Sequence, residues 1–249
     1  MDFFQNMFRL FSGKKNELDK PVFAKKYVDK SDDLMSLAAR LDAAPESMKP
    51  VYREALEALG ERVKAHRRVY EIMENCDLPI IVLHDLHILS GPGAATIDYV
   101  ILSNRYALAV SCPASTDMPI IEKERRSASS GMTRRLTPAE NCAFVLTEVF
   151  KESHLFNKKE LRLIWPVTVL PGSENNWEEI TSYARNTDSE PEEAHVEQIV
   201  APEEFSEFLR NMFKVDDSMT FISNDKVFSA AKLLLEYEKN SSGKADTKD

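Results

Sequence analysis

Asp98 is the residue of this chain with the clearest chemical potential. It lies inside Ala95-Thr96-Ile97-Asp98-Tyr99-Val100-Ile101-Leu102-Ser103, whose β-branched and aromatic residues predict a strand. Asp is depleted in strands, and a carboxylate among apolar neighbours is costly without a partner. A second strand is expected at Ala107-Leu108-Ala109-Val110-Ser111-Cys112-Pro113. A strand carboxylate beside a second strand bearing Glu and Lys can hold a divalent cation and activate water for phosphodiester cleavage. Here the second strand offers Ser111, Cys112 and Pro113. The two strands form a scaffold for that chemistry that lacks its second carboxylate and its lysine.

Other titratable groups are weighed against this centre. Asp98 has two open roles: a low-affinity metal ligand, or an acceptor for a buried backbone amide or for Thr96. Glu61 lies on a helix beside Arg62 and Lys64, off the Leu59/Val63 stripe, which by phase is a solvated face. Glu122 and Glu124 are the nearest carboxylate pair and would share a face if extended, Lys123 pointing away. His84 and His87 stand three apart in an expected strand, so they face opposite sides and make no metal pair. Cys112 has no base beside it in sequence and reads as a buried, inert thiol. Lys123, Arg125, Arg126, Arg134 and Arg135, interleaved by Ser and Gly, are the densest basic cluster near the presumed cleft and the expected nucleic-acid contact.

The elements that must position these groups follow from periodicity and punctuation. Residues 1–15 place Phe4, Met7, Phe8 and Phe11 on one helical face, which predicts docking on the body, on a protein partner or on a membrane surface. Residues 16–44 read as a polar linker followed by a short helix over 31–41. Pro45 opens a longer helix whose stripe of Met48, Val51, Tyr52, Ala55, Leu56, Leu59, Val63, Tyr70 and Met73 predicts a core face. A strand over 80–90, the turn Gly91-Pro92-Gly93, the Asp98 strand, a turn at 104–106 and the Ser111 strand make a meander. Residues 112–136 read as an irregular, flexible basic loop. Thr137, Pro138 and Glu140 start a helix that ends near Ser153. A strand over 161–170 contains Pro166, which implies an edge or a bulge.

From 174 to 207 the chain carries eleven Asp or Glu against Arg185 alone, a solvated excursion with a short strand at 196–200. Helices at 202–213 and 225–239 follow, and a disordered tail is expected from Asn240. The organisation is an α/β domain over 45–215 (core 55–170, acidic excursion 174–200) and a C-terminal helix over 216–239.

Bulk composition narrows the function. With 249 residues and 43% apolar content the chain can build a large core. A net charge of −9 excludes a nucleic-acid grip spread over the whole molecule, so any such contact is local. Cys76, Cys112 and Cys142 form neither a disulfide ladder nor a metal pair, which suits a reducing cytoplasm. No apolar run approaches the ~20 residues of a membrane span.

The order helix, three strands, helix, strand is the αβββαβ core of restriction-endonuclease-like folds. Gly60-Glu61-Arg62-Val63, Ile81-Val82-Leu83-His84-Asp85-Leu86 and Thr96-Ile97-Asp98-Tyr99-Val100-Ile101-Leu102-Ser103 resemble the nuclease-related domain (NERD) family, over roughly 55–170. The resemblance implies a bacterial, cytoplasmic α/β protein with N- and C-terminal helical additions. It makes Asp98 the family's strand Asp, a Mg²⁺ ligand, and Glu61 its helical Glu. Ser111 and Pro113 stand where the family has Glu and Lys, and Tyr106 where it has Gly. The expected function is a catalytically degenerate module that binds nucleic acid or protein and needs no cofactor. The alternatives are an active Mg²⁺-dependent DNA nuclease with a rearranged site, and an interaction protein working through the N-terminal helix.

Overall fold

Local signals set the element ends. Thr137 accepts the Glu140 amide N–H on its hydroxyl while the Glu140 carboxylate accepts the Thr137 N–H, with Pro138 in the first turn. The computed structural model describes residues 18–90, 93–113, 121–126, 133–170, 197–213 and 221–243. Their elements are β1 (Val22–Lys25), α1 (Ser31–Ala43), α2 (Lys49–Glu74), β2 (Ile81–Ser90), β3 (Gly93–Leu102), β4 (Ala107–Ser111), β5 (Ile121–Arg126) and β6 (Thr133–Leu136). They continue with α3 (Pro138–Glu152), α4 (Lys158–Leu161), β7 (Ile164–Val169), β8 (Gln198–Val200), α5 (Phe205–Phe213) and α6 (Asn224–Gly243).

The protein is mixed α/β. A six-stranded sheet runs β1-β2-β3-β4-β7-β8, with an antiparallel meander β2-β3-β4 at its centre and parallel pairs at both sides. The expected order of helix, three strands, helix and strand is present as α2, β2, β3, β4, α3 and β7. Apolar clusters cover both sheet faces. One joins the sheet to α3 (Val145, Leu146, Val149) and α6 (Val227, Phe228, Leu234). The other joins it to the C-terminal half of α2 (Ala65, Val69, Met73) and to α5 (Phe205, Leu209). Among the described residues no helix is long and apolar enough to cross a membrane.

Several expectations are corrected. Residues 22–25, assigned to a polar linker, form β1 and pair with β2 because Val22, Phe23 and Ala24 are apolar enough to join the sheet edge. The stretch 112–136, read as irregular, contains an antiparallel ribbon of β5 and β6 with Arg125 opposite Arg134 and Glu124 opposite Arg135. Helix α4 has no counterpart among the expected elements. Asn157 caps it, and its Glu160 is buried against Lys226 of α6, 2.6 Å away. Residues 240–243, assigned to the tail, belong to α6. The strand holding Pro166 is flanked on both sides, but β8 pairs only from Val167 onward, so the missing N–H leaves no bond unmade. Residues 1–15 and most of the acidic excursion lie outside the described residues.

The α2 stripe is core over only half its length. Ala65, His66, Val69 and Met73 are buried, whereas Met48 is 45% and Val51 57% exposed. The N-terminal half of α2 contributes no buried residue, and α1, which has none either, packs along the helix.

Candidate functional site

The site begins with a phase slip shared by two strands. β2 and β3 keep one register throughout, His84 opposite Tyr99 and Leu86 opposite Ile97. Yet Leu83 and Leu86, and likewise Ile97 and Val100, all face the α3/α6 cluster. Residues three apart in a regular strand would face opposite ways. The intervening pairs, His84-Asp85 and Asp98-Tyr99, turn to the other face, with Asp85 taking φ 54°. Such irregularities re-aim side chains, and here they aim Asp98 at α2.

Helix α2 answers with two side chains one turn apart. Arg62 Nη2 donates to Asp98 Oδ1 at 2.8 Å, and His66 Nε2 lies 3.5 Å from the same oxygen. The Cys112 backbone N–H donates to Asp98 Oδ2 at 2.7 Å. His84 Nε2 is 3.3 Å from His66 Nδ1, and the Tyr99 hydroxyl donates to the His66 carbonyl at 2.6 Å. Arg62 Nε also donates to His66 Nε2 at 3.5 Å, so the His66 ring sits among the guanidinium, Asp98 Oδ1 and His84 Nε2. The buried His84 Nδ1 has no partner among the described residues. The Tyr99 and Tyr27 rings flank His84, with centroids 4.8 and 4.9 Å away.

Electrostatics follow this wiring. Burial alone raises a carboxyl pKa, but His66, Arg62 and the Cys112 N–H outweigh it and hold Asp98 down to about 2. Burial, then the adjacent His66 ring, bring His84 down to about 4. Burial and the Asp98 charge push the Cys112 thiol well above its ordinary range.

Two chemistries can be set against this geometry. For Mg²⁺, the donor set does not fit. Mg²⁺ requires oxygen ligands in near-octahedral array. Asp98 has both oxygens engaged, with a guanidinium 2.8 Å away, and the donor atoms that cluster with it are the His66 imidazole and the Cys112 thiol. For thiol catalysis, Cys112 is fully buried and protonated, and both His66 nitrogens face other partners.

The sequence candidates scatter. Asp98 takes one of its two open roles, accepting a backbone amide, from Cys112, and adds a cation–carboxylate role that the sequence does not announce. Ser111 is buried but on the wrong face. Val110 and Cys112 belong to the α2-side cluster and Ala109 to the other, so alternation turns Ser111 away from Asp98. Glu61 does not reach Asp98 either, because its helical phase points it to a groove beside α1. His84 and His87 lie on the same sheet face, contrary to expectation, since the slip at Asp85 intervenes. His87 is exposed and contacts Thr96 Oγ1 at 3.1 Å, away from the His66 pair. Lys123, Arg125 and Arg126 fall on β5, and Arg134 and Arg135 on β6. The register slips between Ile121 and Glu124, which interrupts the alternation expected of Glu122 and Glu124. Arg62 and His66 are site residues that the sequence reading misses. Their spacing of four on a helix is the available signal.

No protein-family model matches the chain, and neither a curated protein nor a solved structure matches it significantly.

Proposed function

We propose that the protein is a catalytically silent, cytoplasmic relative of the NERD family with a restriction-endonuclease-like core, and that it binds nucleic acid through the β5–β6 ribbon. One observation carries the silent half of this reading. The strand Asp that such an enzyme would give to Mg²⁺ is committed to Arg62, His66 and the Cys112 amide. The order α2, β2-β3-β4, α3, β7 supports the architecture, and the α2 cation in place of a strand lysine supports loss of the metal. For binding, the ribbon supplies what a chain of net charge −9 otherwise lacks. The register sets Arg125 opposite Arg134 on the two strands, which gathers basic residues into one short stretch of the chain. A two-stranded ribbon is also narrow enough for a duplex groove.

With Mg²⁺ or Mn²⁺ and single- or double-stranded DNA, no hydrolysis above background is expected. The Asp98→Asn variant, close in shape, should be indistinguishable from the parent. Metal-dependent cleavage that disappears in that variant would replace this reading with the rearranged nuclease.

Binding has its own measurement. Replacing Arg125, Arg126, Arg134 and Arg135 with Gln should flatten the slope of log K against log salt, by up to about 0.9 for each duplex phosphate that is no longer neutralised. Duplex binding with an unaltered slope would remove the ribbon from the interface.

A further inference from the structure

The arm made by α1 and the first half of α2 is short of cover. Neither contributes a fully buried residue before Ala65, and Met35 is 63% exposed. Short helices gain most of their stability from burying an apolar face, so an uncovered pair is an incomplete structure. Between the two helices runs an open groove of about 550 Å³ lined by Leu34, Met35, Ala38, Leu56 and Gly60.

Gly60 singles the groove out. It lies in the middle of a 26-residue helix, where glycine is unfavourable relative to alanine. A Cβ added there would meet nothing within 4 Å, so no packing among the described residues requires glycine. A glycine on an open helix face lets another backbone approach closely.

We propose that the groove is the docking site of this chain's own residues 3–11. The apolar face Phe4, Met7, Phe8 and Phe11 matches the apolar lining in character. Charge matches as well: Glu57 and Glu61, with Lys64, border the groove, while residues 1–15 carry Arg9, Lys14 and Lys15 against Asp2 alone. The described chain starts at Leu18, anchored in the α3/α6-side core, so residues 1–17 are tethered to the body and the encounter is intramolecular. Tethering at an effective concentration on the order of millimolar lets a shallow groove hold a segment that would bind weakly when free.

Hydrogen exchange on the full chain tests this. Deleting residues 1–15 should speed exchange across α1 and residues 51–64 by about tenfold or more, with β2, β3 and β4 unchanged. Adding a synthetic 1–15 peptide to the truncated protein at a concentration on the order of millimolar should restore the protection. Gly60→Leu in the full chain should fill the groove without disturbing the fold, reproduce the loss and expose residues 3–11. Unchanged exchange in α1 after truncation overturns the proposal. So does protection that rises with protein concentration alongside a dimer, which assigns the face to a second copy. Protection of residues 3–11 only in the presence of anionic vesicles overturns it too, in favour of a membrane surface.

Discussion

On acidification the protein should lose stability in two separable stages, the first of them carried by His84. Its folded pKa of about 4 lies below the ordinary histidine value of 6.5, so between those values the unfolded chain binds the proton more tightly. The stabilisation is therefore complete above about pH 6.5 and is lost as pH falls toward 4. At about 1.4 kcal/mol per pH unit the loss amounts to roughly 3 kcal/mol. The Asp98 carboxylate has the same sign in a lower window. Its folded pKa of about 2 against 3.8 makes its contribution whole above pH 3.8 and forfeits roughly 2 kcal/mol as pH falls to about 2. Denaturant midpoints measured from pH 7 to pH 2 would show both stages. His84→Gln keeps a donor for His66 but does not titrate, so it should flatten the curve between pH 6.5 and 4 and leave the lower stage. A variant with the parent's slope in that upper window would show that His84 does not control it.

Asp98→Ala should cost roughly 3 kcal/mol at pH 7, as expected for removing one member of a buried, hydrogen-bonded ion pair. Asp98 is 5% exposed, and its loss strands the Cys112 N–H in the core. The figure falls short of a fully buried pair because the Arg62 side chain is 45% exposed and can turn to water. Asp98→Asn keeps an acceptor for that N–H and should fall between the parent and the alanine variant. Equilibrium unfolding decides the matter: a loss under about 0.5 kcal/mol would mean that the carboxylate is not a structural member of the core. The same measurement separates two roles for Asp98. A metal ligand is often a burden to the empty fold, whereas a structural ion pair stabilises it.

The positions missed at the site share one cause. Arg62 stands among Glu61, Lys64 and Arg67 on a surface-looking stretch, and nothing in that run distinguishes an inward arginine from a solvated one. His66 and Cys112 are 32 and 14 residues from Asp98 in sequence, and contacts at such separation carry no local signature. The slip at Asp85 is hidden for a different reason. A positive φ at a non-glycine residue is set by the sheet around it, and strict alternation read through that point assigns His87 to the wrong face.

By itself, the sequence determined the elements with strong period or punctuation. Thr137-Pro138-x-Glu140 specifies a helix start through its own hydrogen bonds, and the alternating apolar runs from 80 to 111 specify three strands and their order. It also exposed the missing chemistry, because Ser111 and Pro113 are visible without coordinates. Tertiary structure alone decided what became of Asp98. A buried carboxylate must find compensation, and which cation supplies it depends on the face each strand presents after the slip and on the helix turn that lies above it. Tertiary structure also decided that the apolar stripe of α2 is core only from Ala65 onward. Periodicity reports that a helix has a greasy side; only the elements packed against it determine how much of that side is covered.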